Sequence, residues 1–185
     1  MLGCLVLATW LGECSASASR YDSKIKAAWR RYVPTYDWRL GWAQLWQESR
    51  LNPEATSPVG AAGVGQFMPR TWQEMQTRGF VPHRASVRNV TYNIQASGAY
   101  MMMQLRGWYQ QGRSYGSRYD LALASYNAGR GHLYKAQRLC NGAMEYQDIV
   151  VCLEQVTGRH SLETRDYVEK VHSHFTQRFK DQLWW

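Results

Sequence analysis

The segment Asp37-Trp38-Arg-Leu-Gly-Trp42-Ala-Gln-Leu45-Trp46-Gln-Glu48 repeats large apolar side chains every three or four residues, at Trp38, Trp42, Leu45 and Trp46. That spacing lines one face of an α-helix. The same period continues outward in both directions. Upstream, Asp22 can cap a helix that runs to about Tyr32 and stops at Val33-Pro34, since the residue before proline disfavours the helical region. Downstream, Asn52 to Pro69 holds Pro53, Pro58, Gly60, Gly63 and Gly65 and reads as a long loop, which compact domains keep for function. Further helices are expected from Thr71 to Thr77, and from Asn89 or Thr91 to about Tyr109. Others are expected from Asp120 to Asn127, from His132 to Cys140 after a break at Gly129-Arg130-Gly131, from Glu145 to Gln155, and from Glu163 to Leu183. No run reads as a strand. The fold expected is all-α, a single helical domain.

The 185 residues suffice for one domain with a full core. Hydrophobic residues make up 45% and charged residues 19%, as in a folded globular chain rather than a disordered one. Aromatics reach 14%, with nine Trp and twelve Tyr. Most of these rings belong in a core, and a surplus suits a carbohydrate cleft, where flat rings pack on sugar faces. The net charge of +8 suits a polyanionic partner. The basic residues are scattered (Arg30-Arg31, Arg113, Arg118, Arg130, Lys135, Arg138, Arg178, Lys180) and form no nucleic-acid motif. No nucleic-acid partner is expected.

Met1 to Gly12 is uncharged and mostly apolar, too short for the roughly 20 residues that span a bilayer. It runs into Ser15-Ala16-Ser17-Ala18, which contains an Ala-x-Ala cleavage pattern. Residues 1–18 therefore read as a secretory signal peptide, although no Lys or Arg precedes Leu5. Glu13 before Cys14 does not fit a lipid-attachment site. Cleavage after Ala18 would leave a mature chain of 19–185 with Cys140 and Cys152 as its cysteines. Such a pair in an exported protein suggests a disulfide, and two buried thiols are the alternative. His172 and His174 stand two apart on a helix and face different ways, so no metal and no cofactor is expected.

Glu48 closes the amphipathic helix that begins at Trp38, beside Leu45 and Trp46, where the glycine-rich loop begins. A carboxyl held against apolar surface is pushed toward its neutral form, which suits a general acid. By position alone the residue is more readily a solvated glutamate at a helix end. The string that follows changes that reading: Glu48-Ser49-Arg-Leu-Asn-Pro53-Glu-Ala55-Thr-Ser57-Pro-Val-Gly60-Ala61-Ala-Gly63-Val-Gly65-Gln66-Phe-Met68-Pro69-Arg-Thr71-Trp72. It resembles, in register throughout, the signature of the soluble lytic transglycosylase catalytic (SLT) domain: Glu-Ser, Pro-x-Ala, Ser, Gly-Ala-x-Gly, Gln-x-Met-Pro, Thr. That family belongs with the goose-type lysozyme-like superfamily.

Three further blocks follow in family order. Asn93-Ile94 with Tyr100 is similar to Asn-Ile-x-x-Gly-x-x-Tyr, but Ser97 stands at the Gly position and Gly98 follows one place late. Ala124-Ser125-Tyr126-Asn127-Ala128-Gly129 resembles Ala-Tyr-Asn-Ala-Gly, with Ser125 where Ala is common. Glu163-Thr164-Arg-Asp-Tyr167-Val168 resembles Glu-Thr-x-x-Tyr-Val. The resemblance spans about Trp38 to Val171.

The resemblance implies a lysozyme-like helical fold with a cleft. It makes Glu48 the catalytic acid/base, with Ser57, Gln66 and Met68 lining the cleft near the scissile sugar. Tyr126 would reach the site of cleavage, Asn127 would hold the following turn, and Glu163 and Tyr167 would stand on the opposite wall. For Asn127, Glu163 and Tyr167, a helix-end or packing role remains the alternative. Glycosidases usually use two carboxylates. Glu54, Glu74, Asp120 and Glu163 are present, but none falls where the family has a second catalytic acid. The implied chemistry is cleavage of the MurNAc-β-1,4-GlcNAc bond of peptidoglycan glycan strands, with closure of a 1,6-anhydro ring. The alternatives are a hydrolytic muramidase, or a wall-binding assembly factor with secretion-system or phage components as partners. The expected protein is an exported monomer of the periplasm or cell envelope, or one delivered to the wall by a phage.

Overall fold

The computed structural model describes residues 20–180. The expected signal peptide over 1–18, Cys4, Cys14 and the expected helix end at Leu183 lie outside the described residues. Those residues are helical, with only two isolated bridges, Thr56 with Ala62 and Ala62 with Phe67, in the long loop. They form two compact units, and the division falls between Ala96 and Ser97.

In the first unit, α1 (residues 20–32) is already helical ahead of Asp22. Asp22 therefore sits inside the helix rather than capping it. Helix α1 ends as expected, with the Val33 amide donating to the Trp29 carbonyl at 2.7 Å just before Pro34. Helix α2 (Trp38–Ser49) is capped by Asp37, whose carboxylate accepts from the Arg39 amide at 2.9 Å. Its apolar stripe divides. Trp42 (4% exposed) and Leu45 (0%) are core, whereas Trp38 and Trp46 are half-buried. Trp46 stacks on Trp42 with ring centroids 5.1 Å apart.

The approach of α1 to α2 is set by a glycine. A Cβ at Gly41 would lie 2.1 Å from the Trp29 ring, and Trp29 is fully buried. Helix α3 (Pro69–Thr77) begins at Pro69, two residues before the expected Thr71 cap. Proline tolerates the first helical position because that N–H has no intrahelical partner. Helix α4 (Val90–Gly107) is capped by Asn89, which accepts from the Tyr92 amide at 3.1 Å.

In the second unit, α5 (Tyr115–Ala128) starts five residues before Asp120, because Ser114 caps it by accepting from the Ser117 amide. The Ser114 amide and hydroxyl also bond Glu145, and this hydrogen bonding holds the Glu145 carboxyl below the usual carboxylate range. The break after α5 is narrower than expected. Gly129 alone turns the chain at φ 87, and α6 (Arg130–Leu139) follows directly.

One expected helix, Glu145 to Gln155, is two short ones, α7 (Tyr146–Val150) and α8 (Glu154–Thr157). Between them the Cys152 and Leu153 amides bond carbonyls three residues back, which tightens the chain into a turn. Cys152 in that turn is joined to Cys140 by a disulfide with Cα atoms 6.0 Å apart. Helix α9 (His160–Phe179) begins three residues before Glu163, after Gly158 turns the chain at φ 58.

Helix α5 packs against α6, α7 and α9, and Leu121, Leu123, Leu133, Ile149 and Val171 are fully buried there. Ser125, the departure from the family motif, has a partner that explains it: the buried Trp108 indole N–H donates to its hydroxyl at 2.7 Å. An alanine would leave that donor without an acceptor.

Two outcomes test this packing. Gly41→Ala should lower stability by about 1–3 kcal/mol, since the indole must move. Gly116→Ala, on α5 where nothing lies within 4 Å, should be neutral or stabilising by up to about 1 kcal/mol. Urea midpoints for the two variants check the opposite signs. The second outcome concerns His172, whose Nε2 lies 2.7 Å from Asp120. Hydrogen bonding to Asp120 raises its pKa against the opposing effect of burial. A raised folded pKa stabilises below the unfolded value of about 6.5 and loses that benefit as pH climbs through the folded value. Thermal midpoints should fall between about pH 6 and 8, and Asp120→Asn should flatten the slope. Equal slopes in both proteins would contradict the assignment.

Candidate functional site

Glu48 is the next-to-last residue of α2 and is half-buried. Just beyond it, Arg50 (φ 53) and Leu51 (φ 60) both adopt the left-handed conformation, which is costly for residues with a Cβ. Leu51 is 1% exposed, so its burial anchors the turn. Ser49 ties the helix end to the loop, its hydroxyl donating to the Val64 carbonyl at 2.8 Å.

The loop is built from its own backbone. Ala62 and Phe67 exchange amide–carbonyl bonds at 3.0 Å each, and Gly63 donates to the Ala55 carbonyl at 3.0 Å. Ser57 accepts from the Ala61 amide at 3.0 Å. Gln66 has φ 47, and its amide nitrogen donates to the carbonyls of Gly63 (2.9 Å) and Ala55 (3.3 Å). The nitrogen is thus committed to the loop, and the amide oxygen is the group Gln66 offers. Met68 caps α3 and is 41% exposed.

Two residues outside the loop hold it, and sequence reading assigned neither that role. Asn93 has 0% exposure. Its Oδ1 accepts from the Gly65 amide at 2.7 Å and its Nδ2 donates to the Val87 carbonyl at 2.7 Å. Gly63 must lack a side chain here, because a Cβ would lie 2.3 Å from Nδ2 of Asn93 at φ 79. Arg88 donates to the Glu54 carbonyl at 2.9 Å and to Thr56 Oγ1 at 3.1 Å. The signal for Asn93 was present as Asn93-Ile94, but was obscured by Ser97 at the family's glycine position. Arg88 carried no motif.

The remaining candidates belong to the second unit. Tyr126 packs edge-on against Tyr100, with ring centroids 5.0 Å apart. Asn127 is exposed, and its Oδ1 accepts from the Thr164 hydroxyl at 3.0 Å, joining the end of α5 to α9. Glu163 is exposed and stands 3.7 Å from His160. Asn127, Glu163, Thr164, His132 and His160 line one cavity of about 310 Å³. Tyr167 is 5% exposed and packs within the unit. The first unit thus holds Glu48, Ser57, Gln66 and Met68, and the second holds Tyr126, Asn127, Glu163 and Tyr167. Among the described residues, no group of three or more His, Cys, Asp or Glu side chains is placed to hold a metal ion. No helix among them is long and apolar enough to cross a membrane.

Residues 25–149 match the transglycosylase SLT domain, and the chain belongs to that family. It is similar to the membrane-bound lytic murein transglycosylase F of Haemophilus influenzae, with 32% identity over 109 residues, 59% of this chain and 21% of the relative. Two solved structures share the fold. The 70 kDa soluble lytic transglycosylase of Escherichia coli has TM-score 0.65 and 23% identity, covering 85% of this chain and 24% of the other. An inactive glutamate-to-glutamine mutant of the lytic transglycosylase Slt of Pseudomonas aeruginosa has TM-score 0.66 and 22% identity, covering 86% and 24%. The chain spans 21% to 27% of the length of the curated relatives it matches.

Asn93→Ala should strand the Gly65 amide and the Val87 carbonyl, costing about 2–6 kcal/mol at 1–3 for each buried group. Amide hydrogen exchange should accelerate at Gly65 well beyond the global change in stability. Unaltered protection at Gly65 would contradict the bridging role.

Proposed function

We propose that this chain is a peptidoglycan lytic transglycosylase that cleaves the MurNAc-β-1,4-GlcNAc bond with Glu48 as its sole acid/base. The observation that carries the reading is the half-buried Glu48 at the end of α2, tied through Ser49 to a loop of left-handed and glycine residues. Membership of the SLT domain family supports it. So does the inactive Pseudomonas aeruginosa protein, in which one glutamate has become glutamine. Residues 19–185 would act as one catalytic domain, exported to the cell envelope.

In the proposed reaction, neutral Glu48 protonates the glycosidic oxygen as its bond to C1 of the muramic sugar breaks. The substrate's own N-acetyl group supports the positive charge developing at C1. The Glu48 carboxylate then takes the proton of the C6 hydroxyl, and O6 closes on C1 as a 1,6-anhydro ring. Glu48 ends the cycle protonated, and no water is consumed. A tethered hydroxyl outcompetes water because its approach costs little entropy. The Gln66 amide oxygen would accept an N–H or hydroxyl from the sugar, the Ser57 hydroxyl would donate, and Met68 would offer apolar contact. Tyr126 would reach the cleaved bond. Asn127 and Glu163 would contact substrate from the cavity of the second unit, and Tyr167, by its burial, would support them through packing.

Glu48→Gln should keep the fold and reduce clearing of purified wall by at least about 10²-fold, the usual worth of general acid/base help. A variant that retains more than about a tenth of the wild-type rate would remove Glu48 from the role.

A further inference from the structure

A second cavity, of about 200 Å³, lies in the first unit between α1 and the start of α4. The buried Ala28, with Ala27 and Tyr32, gives it an apolar lining, Thr91 and Gln95 stand beside them, and Lys24 and Arg31 flank it. No carboxylate lines it. The two cations are seven residues apart on one helix face, about 10 Å along the axis. Arg31 is held in place, its guanidinium 5.3 Å from the Tyr32 ring centroid. Lys24 is exposed and has no ion pair among the described residues. Gln95 spends its amide nitrogen on the Phe80 carbonyl at 2.7 Å and the Tyr32 hydroxyl at 3.4 Å. Its amide oxygen is thus the group it offers.

Such a site combines two positive charges, one of them stacked on a ring, with a hydrogen-bond acceptor, a hydroxyl and an apolar lining. An anionic phospholipid surface would use the charges but has little need of an acceptor or a concave floor. A peptide carrying carboxylates uses the charges, the acceptor and the lining together: carboxylates pair with Lys24 and Arg31, a backbone N–H meets Gln95, and an aliphatic side chain rests on Ala28.

We propose that this cavity binds the carboxylate-bearing stem peptides attached to wall glycan strands, an inference that rests on the peptidoglycan reading above. It gives the enzyme a preference for peptide-substituted strands through residues that take no part in bond cleavage.

The test uses the full chain and the double variant Lys24→Gln/Arg31→Gln, whose exposed positions leave the fold intact by circular dichroism. Titration with a synthetic wall stem tetrapeptide should show binding that weakens about tenfold in the variant, the loss of two charge contacts. The same peptide with its carboxylates amidated should bind wild type as weakly. With peptide-bearing strands the variant's KM should rise about tenfold, and with strands stripped of peptide by an amidase both proteins should behave alike. Equal tetrapeptide affinity in the two proteins would overturn the proposal. So would binding to phosphatidylglycerol vesicles that the variant loses while neither protein binds peptide, which would assign the face to lipid. Peptide binding without cleavage of any strand would count against the catalytic reading and leave the cavity standing. Cleavage with unaltered peptide affinity would do the reverse.

Discussion

The loop that follows Glu48 depends on one buried amide. Asn93 sits with no exposed surface and satisfies a donor and an acceptor from two chain segments, Gly65 and Val87. A loop of this kind carries many backbone polar groups close to the core, and each one left unpaired would cost about 1–3 kcal/mol. A carboxylate in place of the amide would lose the donor, and an apolar side chain would lose both bonds. Gly63 follows from the same contact, since any Cβ there would occupy the position of the Asn93 amide. The loop's glycines therefore serve two purposes. Some admit backbone turns, and Gly63 admits Asn93.

That arrangement shapes the proposed chemistry. Ser49 and Val64 join the helix end to the loop, so the position of Glu48 and the conformation of Gln66 are set together. Because Gln66 uses its amide nitrogen internally, what it presents to a substrate is an acceptor rather than a donor. In the proposed reaction that acceptor would serve a substrate that brings its own nucleophile and its own charge stabilisation, so no second carboxylate would be required to activate water.

Helix-forming patterns were legible along most of the chain, and the Asn89 cap and the stop at Val33-Pro34 fall at expected places, whereas Asp22 lies inside α1 rather than at its start. The boundaries that moved did so for local reasons that a periodicity does not carry. Ser114 starts α5 early because it caps through a hydroxyl shared with Glu145. Pro69 starts α3 early because it occupies the first helical turn. The disulfide turn at Cys152 divides what the pattern read as one helix. Of the candidate site, the Glu48-to-Thr71 string was readable as residues in register. The supports were not, because Arg88 and Asn93 act on segments many positions away in sequence. Ser125 shows the converse: an apparent departure from a motif is a hydrogen-bond partner for a tryptophan seventeen residues earlier.

In the proposed reaction bond cleavage consumes no water, because the Glu48 carboxylate takes the proton of the tethered C6 hydroxyl. Digestion of purified wall in heavy-oxygen water, followed by mass spectrometry of the released muropeptides, tests it most directly. The products should end in 1,6-anhydro-N-acetylmuramic acid, carry no heavy oxygen at C1 and resist borohydride reduction. Heavy oxygen at C1 in most products, with reducible ends, would contradict it and make the enzyme a hydrolytic muramidase.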